Sequence, residues 1–315
     1  MEDGSSGRKA APEEELTLQY PVHTLDGRLL LPAGTVLTGE VMKELASAGK
    51  DMQFQTHSLL EYGRVVKDIM GFLENPPYNT IFRDDELIID LLQIMGRVRL
   101  ALPALQSLDY FVHNDYYTYR HILMVFALAT LLAKDLLEND EDQVAAVSSG
   151  PIHDMGKINI PLGILDKKTP LTETEHEVMK HHVLSGHVLL SYYSGSSESL
   201  AAKVARDHHE RSNGSGYPTG RHLNDFMVEI IAVSDIYDAL ISPRPYRPVS
   251  FDNRTALEEI TAMAERHEIR WDIVQALVSH NRRQNRSLKG TEISHEKRGT
   301  QPPGNVYGIS VDQEG

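Results

Sequence analysis

The residues best suited to chemistry are His153 and Asp154, which stand side by side in the segment PIHDMGKINIP. Adjacent side chains point in different directions on a regular helix, but at a helix end or a sharp turn an imidazole and a carboxylate can both reach one cation. A His-Asp pair alone is a weak signal, because such dipeptides are common by chance. Its significance depends on which other potential ligands the fold brings to it.

Other potential metal ligands recur through the second half of the chain at intervals of roughly 30 residues, about one helix plus its connection. They are His121, His182, His208, His209 and Asp235. A single buried histidine is usually satisfied by a hydrogen bond, but seven polar groups buried together without a cation would each cost several kcal/mol of desolvation energy. Each helix of a bundle could present one ligand to a common centre, and the spacing therefore predicts a metal site.

Helical periodicity indicates which histidines face this centre. In the helix predicted over residues 172–193, His182 falls on the apolar stripe that includes Met179 and Leu189, whereas His181 is turned away from it. We therefore expect His182, and not His181, to contribute a ligand.

The predicted chemistry is hydrolysis at a phosphate. Asp154 has two carboxylate oxygens and could bridge two ions, one completed by His153 and Asp235 and its neighbour by His182, His208 and His209. Two divalent ions about 3.5–4 Å apart lower the pKa of a bridging water and neutralise charge on a displaced phosphate oxygen. The chain contains no cysteine, so its available ligands favour Fe, Mn or Zn over metals that prefer sulfur.

Three cationic side chains and one aromatic side chain could bind the substrate. Lys157 lies one helical turn after Asp154, while Arg244 and Arg247 lie in SPRPYRP, shortly after the last predicted ligand. Arginine binds phosphate oxygens in a bidentate manner and lysine binds them as a point charge. In the tight loop NGSGYP, Tyr217 could stack on a base or reach a phosphate.

Composition excludes several classes of partner. The formal net charge of -14 disfavours a general nucleic-acid binder and an anionic-membrane binder, so a phosphate ligand must meet a local basic cluster. The longest apolar run, 122–133, is shorter than the roughly 18 residues that span a bilayer, and we expect no membrane insertion. Because the N-terminal stretch lacks the apolar core of a signal peptide, the predicted location is cytoplasmic.

The chain divides into five predicted segments: a disordered N-terminus (1–15), a small β-plus-helix regulatory unit (16–50), connecting helices (51–107), a helical domain (108–280) and a polar, disordered tail (281–315). Apolar spacing predicts connecting helices over 57–73 and 84–105, with Pro103 kinking or ending the second, and a late helix over 254–279. Strand patterns are scarce, so the predicted class is all-α with a small α+β N-terminal unit. A homodimer or a signalling partner could bind through that unit.

Four segments together resemble the HD-GYP domain, a bacterial subfamily of the HD phosphohydrolases: HDMGK (153–157), HHE (208–210), GYP (216–218) and SDIYDALISPRPYR (234–247). The resemblance implies an HD-type helical bundle whose iron or manganese centre hydrolyses the second messenger cyclic di-GMP. It implies metal-ligand roles for His121, His153, Asp154, His182, His208, His209 and Asp235, and catalytic roles for Asp154 and Lys157. It also implies that Lys157, Arg244 and Arg247 bind the substrate phosphates and that Tyr217 contacts the substrate.

Two departures from the family pattern refine this expectation. Trinuclear members place a Glu four residues before the first histidine, where this chain has Tyr117, so we predict two divalent ions, Fe first and Mn or Zn as alternatives, with linear pGpG as the main product. Pro151 stands where the family has a bulky apolar helix, and a shift of His153 by an ångström or more could lower the rate about 100-fold.

Two other functions are therefore kept. A catalytically silent sensor would bind a cyclic dinucleotide and signal to partners through the N-terminal region. A phosphohydrolase acting on another nucleotide is disfavoured by the GYP loop and the RPYR segment.

Overall fold

The computed structural model describes residues 16–243, 249–282, 293 and 297–302. Residues 1–15 and most of 281–315, both predicted to be disordered, lie outside the described residues. Arg244 and Arg247 lie outside them too.

The described chain is predominantly helical, which confirms the predicted all-α class with a small α+β unit at its N-terminal end. Its α-helices are α1 (Gly39–Asp51), α2 (Val65–Leu73), α3 (Asp85–Met95), α4 (Leu102–Asn114), α5 (Tyr116–Leu136), α6 (Asp140–Ser149), α7 (Leu162–Leu165), α8 (Glu173–Lys180), α9 (His182–Ser194), α10 (Leu200–Asp207), α11 (Phe226–Ile241), α12 (Asn253–Glu265) and α13 (Trp271–Asn281). Two antiparallel strand pairs join β1 (Val22–His23) to β2 (Leu29–Leu31) and β3 (Thr56–Ser58) to β4 (Arg99–Ala101).

Helix α5 forms the centre of the bundle because it is apolar on all sides. Every residue from His121 to Ala133 is buried, as is typical of a helix surrounded by others. It packs against α2, α3, α4, α6, α11 and α13. Among the described residues, no helix is both long enough and apolar enough to cross a membrane.

The N-terminal unit packs directly onto this bundle. Helix α1 lies along α9, and Gly49 approaches the backbone of Tyr192 so closely that an added Cβ would overlap with its carbonyl group. The Arg28 guanidinium donates a hydrogen bond of 2.8 Å to the Tyr192 hydroxyl. The strands and helix predicted within 16–50 therefore form one face of the molecule that covers α9.

The segment 51–107 differs from the predicted pair of connecting helices. The helix predicted over 57–73 begins only at Val65, because β3 pairs with β4. The helix predicted over 84–105 ends at Gly96, and Pro103 lies in the first turn of α4 instead of ending α3. Proline fits the first turn because a backbone N–H there has no intrahelical acceptor. Strands of three residues are too short for their alternation to be distinguished from helical spacing.

Two other predicted helices are each divided in two. The helix over 172–193 breaks at His181, so that His182 becomes the first residue of α9. The helix over 254–279 is interrupted after Glu265, where His267 adopts a left-handed φ of 57°. Apolar periodicity continues across both breaks and gives no sign of them.

The contact between α1 and α9 predicts a specific stability effect. Gly49→Ala would force apart the two helices at Tyr192, and overpacking of this kind costs about 1–3 kcal/mol. We expect a lower midpoint in urea unfolding, followed by circular dichroism. Gly39→Ala in the same helix is the matched control, since nothing lies within 4 Å of the added Cβ. Equal midpoints for the two variants would contradict the packing described.

Candidate metal centre

The structure brings the seven predicted ligand residues to one place. Three overlapping groups each place one potential ligand atom per residue within 4.8 Å of the others. The groups are His121, His153 and Asp235; His153, Asp154 and His208; and His182, His208 and His209. The imidazoles of His153 and His208 belong to two groups each, so the cluster is continuous.

The seven ligand residues are delivered by five parts of the chain. His121 comes from α5, His153 and Asp154 from the turns that follow α6, His182 from the start of α9, His208 and His209 from the end of α10, and Asp235 from α11. Gly156 allows the turn to lie against α9, since an added Cβ would overlap with the carbonyl of His182 and the backbone nitrogen of Gly186. The convergence therefore depends on close backbone contact between the turn and α9.

Pro151 is accommodated next to His153 without breaking up the cluster. It lies in the 3-10 turn Gly150–Ile152, at a first-turn position where its missing N–H is not needed. The His153 ring is fully buried, and its Nδ1 donates a hydrogen bond of 2.7 Å to the Gly150 carbonyl. His153 belongs to two of the three ligand groups, so Pro151 does not remove it from the cluster.

The histidine tautomers are set by backbone carbonyls. Nδ1 of His182 lies 2.6 Å from the Met179 carbonyl and Nδ1 of His208 lies 2.9 Å from the Val204 carbonyl. A carbonyl oxygen only accepts, so each Nδ1 carries the hydrogen and each Nε2 presents a lone pair, as in histidine ligands of metals. The two Nε2 atoms face each other at 3.4 Å. Burial lowers the pKa of His182 to about 4 and that of His208 to about 3, so both rings are uncharged near neutral pH.

Asp154 lies between two sets of imidazoles. Its Oδ2 is 3.4 Å from His153 Nε2 and 3.6 Å from His121 Nε2, whereas its Oδ1 is 3.4 Å from His182 Nε2. Lys157 donates to Oδ2 at 2.6 Å. Burial alone would raise the pKa of Asp154, but the Lys157 ammonium and the His153 imidazole hold it well below its usual range. The carboxylate is therefore charged and offers one oxygen to each side.

His121 is held by a carboxylate that sequence reasoning missed. Its Nδ1 lies 2.7 Å from Asp238 Oδ2, and its Nε2 lies 3.1 Å from Asp235 Oδ1. Burial acts to lower the pKa of His121, but the hydrogen bonds to Asp235 and Asp238 outweigh it and raise the pKa to about 9. A carboxylate behind the far nitrogen of a ligating histidine orients the ring and increases its basicity. The signal was present, because Asp238 follows Asp235 by one helical turn in α11.

The donor set fits a divalent cation. Within the described residues, the Nε2 atom of His153 is buried without a hydrogen-bond partner, and the facing lone pairs of His182 and His208 would repel each other without a positive charge between them. Imidazole nitrogens and carboxylate oxygens suit Fe, Mn and Zn. His121, His153, Asp154, His182, His208, His209 and Asp235 would hold the metal.

The GYP loop lies against the same centre. The Tyr217 ring stacks on His209, with ring centroids 4.7 Å apart and planes inclined by 17°. The loop is held by Glu210, whose Oε1 accepts hydrogen bonds of 2.6 Å from both the backbone N–H and the hydroxyl of Thr219. Gly216 lies so close to the backbone of 209–211 that a side chain there would collide with it.

A cleft of about 580 Å³ opens onto the cluster and contains Lys157 and Tyr217. Lys180 and Arg211, which sequence reasoning did not single out, also line it, together with the carboxylates of Asp115 and Glu268, so the cleft carries both signs of charge. The Lys180 ammonium lies 5.6 Å above the Tyr217 ring. Tyr117 lines the cleft as well, with its ring stacked at 5.9 Å and 10° on that of His121.

His181 occupies a different environment from His182. Its ring is buried too, but it meets Tyr20 of the N-terminal unit edge-on at 5.3 Å. This position agrees with the expectation that His181 faces away from the cluster. The sequence did not predict that His181 would be buried, because it did not show that the N-terminal unit packs over it.

A protein-family model described as the HD domain matches residues 95–269. The chain belongs to the HD domain family. With its GYP loop and SDIYDAL helix, it is an HD-GYP domain protein, which confirms the resemblance seen in the sequence. The matched range includes every residue of the cluster.

Three curated relatives are similar to part of this chain. The cyclic di-GMP phosphodiesterase response regulator RpfG of Xanthomonas campestris pv. campestris is 36% identical over 167 residues, which cover 52% of this chain and 43% of RpfG. A cyclic di-GMP phosphodiesterase of Thermotoga maritima is 37% identical, covering 43% of this chain and 37% of that protein. The 3'3'-cGAMP-specific phosphodiesterase 1 of Vibrio cholerae is 38% identical, covering 42% and 30%. This HD-GYP chain thus spans less than half the length of these relatives.

The position of Asp154 between the two imidazole sets predicts that its charge is required for metal binding. Loss of a residue that supports a metal ligand lowers metal affinity by up to about 100-fold. Because Asp154 is itself a proposed ligand, we expect Asp154→Asn to lower Mn²⁺ affinity by more than about 100-fold. Isothermal titration of metal-stripped protein measures this. Asp68→Asn is the matched control, because Asp68 is equally buried but binds Tyr119 and Arg64. Unchanged Mn²⁺ affinity in Asp154→Asn would contradict the assignment.

Proposed function

We propose that this HD-GYP domain is a metal-dependent phosphodiesterase that hydrolyses cyclic di-GMP through a binuclear centre. The observation that carries the proposal is the Asp154 carboxylate, whose two oxygens face separate groups of histidine Nε2 atoms. A carboxylate that offers one oxygen to each ligand set could serve two divalent ions, and paired ions are used by many phosphoesterases. The names of the Xanthomonas and Thermotoga relatives support the choice of substrate.

The ligands divide into two sets around Asp154. His121, His153 and Asp235 would hold one ion, and His182, His208 and His209 the other. When bound, two divalent ions supply an activated water and neutralise charge on the phosphate. Iron is the first choice, with manganese or zinc as alternatives.

The chain's own residues bind and orient the substrate. Lys157 donates to Asp154 and lines the cleft, which supports a proposed contact between its ammonium and a phosphate oxygen. Tyr217, which stacks on His209 and lines the cleft, is proposed to contact the substrate. Arg244 and Arg247, whose positions lie outside the described residues, are proposed to bind phosphate oxygens as well.

Tyr117 supports a binuclear centre with linear pGpG as the main product. It lies over His121, where the trinuclear pattern requires a carboxylate, and a phenol is a poor ligand for a third divalent ion. A centre with two ions leaves less positive charge to bind and cleave the second phosphodiester.

The N-terminal unit is proposed to regulate this site. The Asn159 side chain accepts a hydrogen bond of 2.8 Å from the His23 N–H and donates one of 3.1 Å to the His23 carbonyl. Asn159 ends the turn that carries Lys157, so the unit formed by 16–50 has a direct connection to the centre. We also propose that the chain divides into this unit, a connecting segment (51–107) and a catalytic domain (108–280). A cytoplasmic location and a homodimer or signalling partner are further parts of the proposal.

The same connection favours one alternative, a catalytically silent sensor. A domain that binds a cyclic dinucleotide could transmit its state through Asn159 and His23 to the N-terminal unit. Because both functions require the chain to bind a cyclic dinucleotide, only a measurement of substrate turnover distinguishes them.

An anaerobic turnover assay tests the proposal. Protein loaded with Fe²⁺ or Mn²⁺ is incubated with cyclic di-GMP, and products are separated by chromatography at successive times. We expect pGpG to appear first and GMP to remain minor. GMP as the main early product would contradict the binuclear centre, and tight binding without product over hours would establish the sensor. Parallel reactions with 3'3'-cGAMP and linear nucleotides test the substrate class.

A further inference from the structure

A buried hydrogen-bond chain leads away from the metal centre on the far side of His121. It begins at Asp238, which is fully buried and whose Oδ2 is 2.7 Å from His121 Nδ1. A buried carboxylate needs partners for both oxygens, because an unsatisfied charged group carries a large desolvation penalty. The partners of Asp238 Oδ1 therefore decide whether its carboxylate can hold the His121 ring.

Two hydroxyls occupy that second oxygen. The Tyr78 hydroxyl forms a short hydrogen bond to Asp238 Oδ1, and Ser242 Oγ lies 3.1 Å from the same atom. The two hydroxyls are also 2.8 Å apart, so they form a closed triangle with the carboxylate oxygen. Ser242 immediately follows α11, whereas Tyr78 comes from the connecting segment, 160 residues before Asp238.

Tyr78 is held firmly in place. Only 1% of it is exposed, and the Arg120 guanidinium lies over its ring at 5.4 Å and donates to its hydroxyl at 3.3 Å. The backbone just before it is fixed by Asn253, whose side-chain amide donates to the Pro77 carbonyl at 3.1 Å. Burial holds the pKa of Tyr78 well above its usual value, so the hydroxyl keeps its hydrogen and donates it.

We propose that Tyr78 is a positioning residue for the metal ligand His121, acting through Asp238. Its hydroxyl fixes the carboxylate in the orientation that receives the His121 Nδ1–H, which directs Nε2 to the centre. The connecting segment is then a structural part of the metal site. This inference rests on the proposed metal centre, since it assigns a supporting role toward one of its two ligand sets.

The inference predicts a site-selective loss of metal affinity in Tyr78→Phe, which keeps the ring and removes the hydroxyl. Loss of a partner behind a metal ligand lowers affinity by about 10–100-fold. We expect a fall of at least about 10-fold in the Mn²⁺ affinity of the set containing His121, with the other set unchanged. Titration of metal-stripped protein, followed by electron paramagnetic resonance, resolves the two steps.

Tyr119→Phe is the matched control. Tyr119 is a buried tyrosine whose hydroxyl donates to the buried carboxylate of Asp68 at 2.8 Å, and that carboxylate contacts none of the seven ligand residues through the hydrogen bonds described. Both variants remove one phenol-to-carboxylate hydrogen bond, so a general loss of stability would affect them alike. Only Tyr78→Phe should weaken Mn²⁺ binding. Ser242→Ala should produce a smaller shift in the same direction and gives a second test if Tyr78→Phe fails to fold.

The outcomes separate this inference from the function on which it rests. If the unmodified chain binds Mn²⁺ in two steps and Tyr78→Phe and Ser242→Ala bind as tightly, the positioning role is wrong and the metal centre stands. If the unmodified chain binds no divalent ion, the metal centre itself is wrong. Equal weakening in Tyr78→Phe and Tyr119→Phe would also overturn the inference, because it would show a structural effect only.

Discussion

The structure depends on the cost of burying charge and lone pairs inside an apolar helical bundle. Five imidazoles and two carboxylates meet where α5, α9, α10 and α11 come together, and six of these seven residues are at most 7% exposed. Polar groups in such a place need partners, and the facing Nε2 atoms of His182 and His208 are acceptors without a donor between them. A cation at the centre would satisfy them, and the fold brings all seven side chains to that point.

Four of the five imidazoles are held from behind by a hydrogen bond. Backbone carbonyls fix the rings of His153, His182 and His208, and a carboxylate fixes His121. Side chains held in this way lose little conformational entropy when a metal binds, and this favours metal affinity. The Gly156 backbone contact and the hydrogen bonds from Thr219 to Glu210 similarly hold the turn and the GYP loop that border the cleft.

The ligand residues were predictable because their types and their spacing carry the signal. Histidines and aspartates one helix apart have little reason to recur in a core unless they meet, and the structure shows all seven together. The strand pair β3–β4 was missed because three-residue strands have no distinctive period, and the docking of the N-terminal unit was missed because it depends on Gly49 meeting a backbone 143 positions later. Asp238 could have been found from its helical spacing to Asp235, but Tyr78 could not, because nothing in its local sequence indicates contact with α11.

Diffraction from crystals grown with Mn²⁺, recorded at the manganese absorption edge, tests the central claim most directly. The account predicts two anomalous peaks on either side of the Asp154 carboxylate, about 3.5–4 Å apart, one beside His121, His153 and Asp235 and the other beside His182, His208 and His209. A third peak next to Tyr117 would contradict the binuclear centre. A map with no peak at Asp154 in metal-replete crystals would contradict the metal site as a whole.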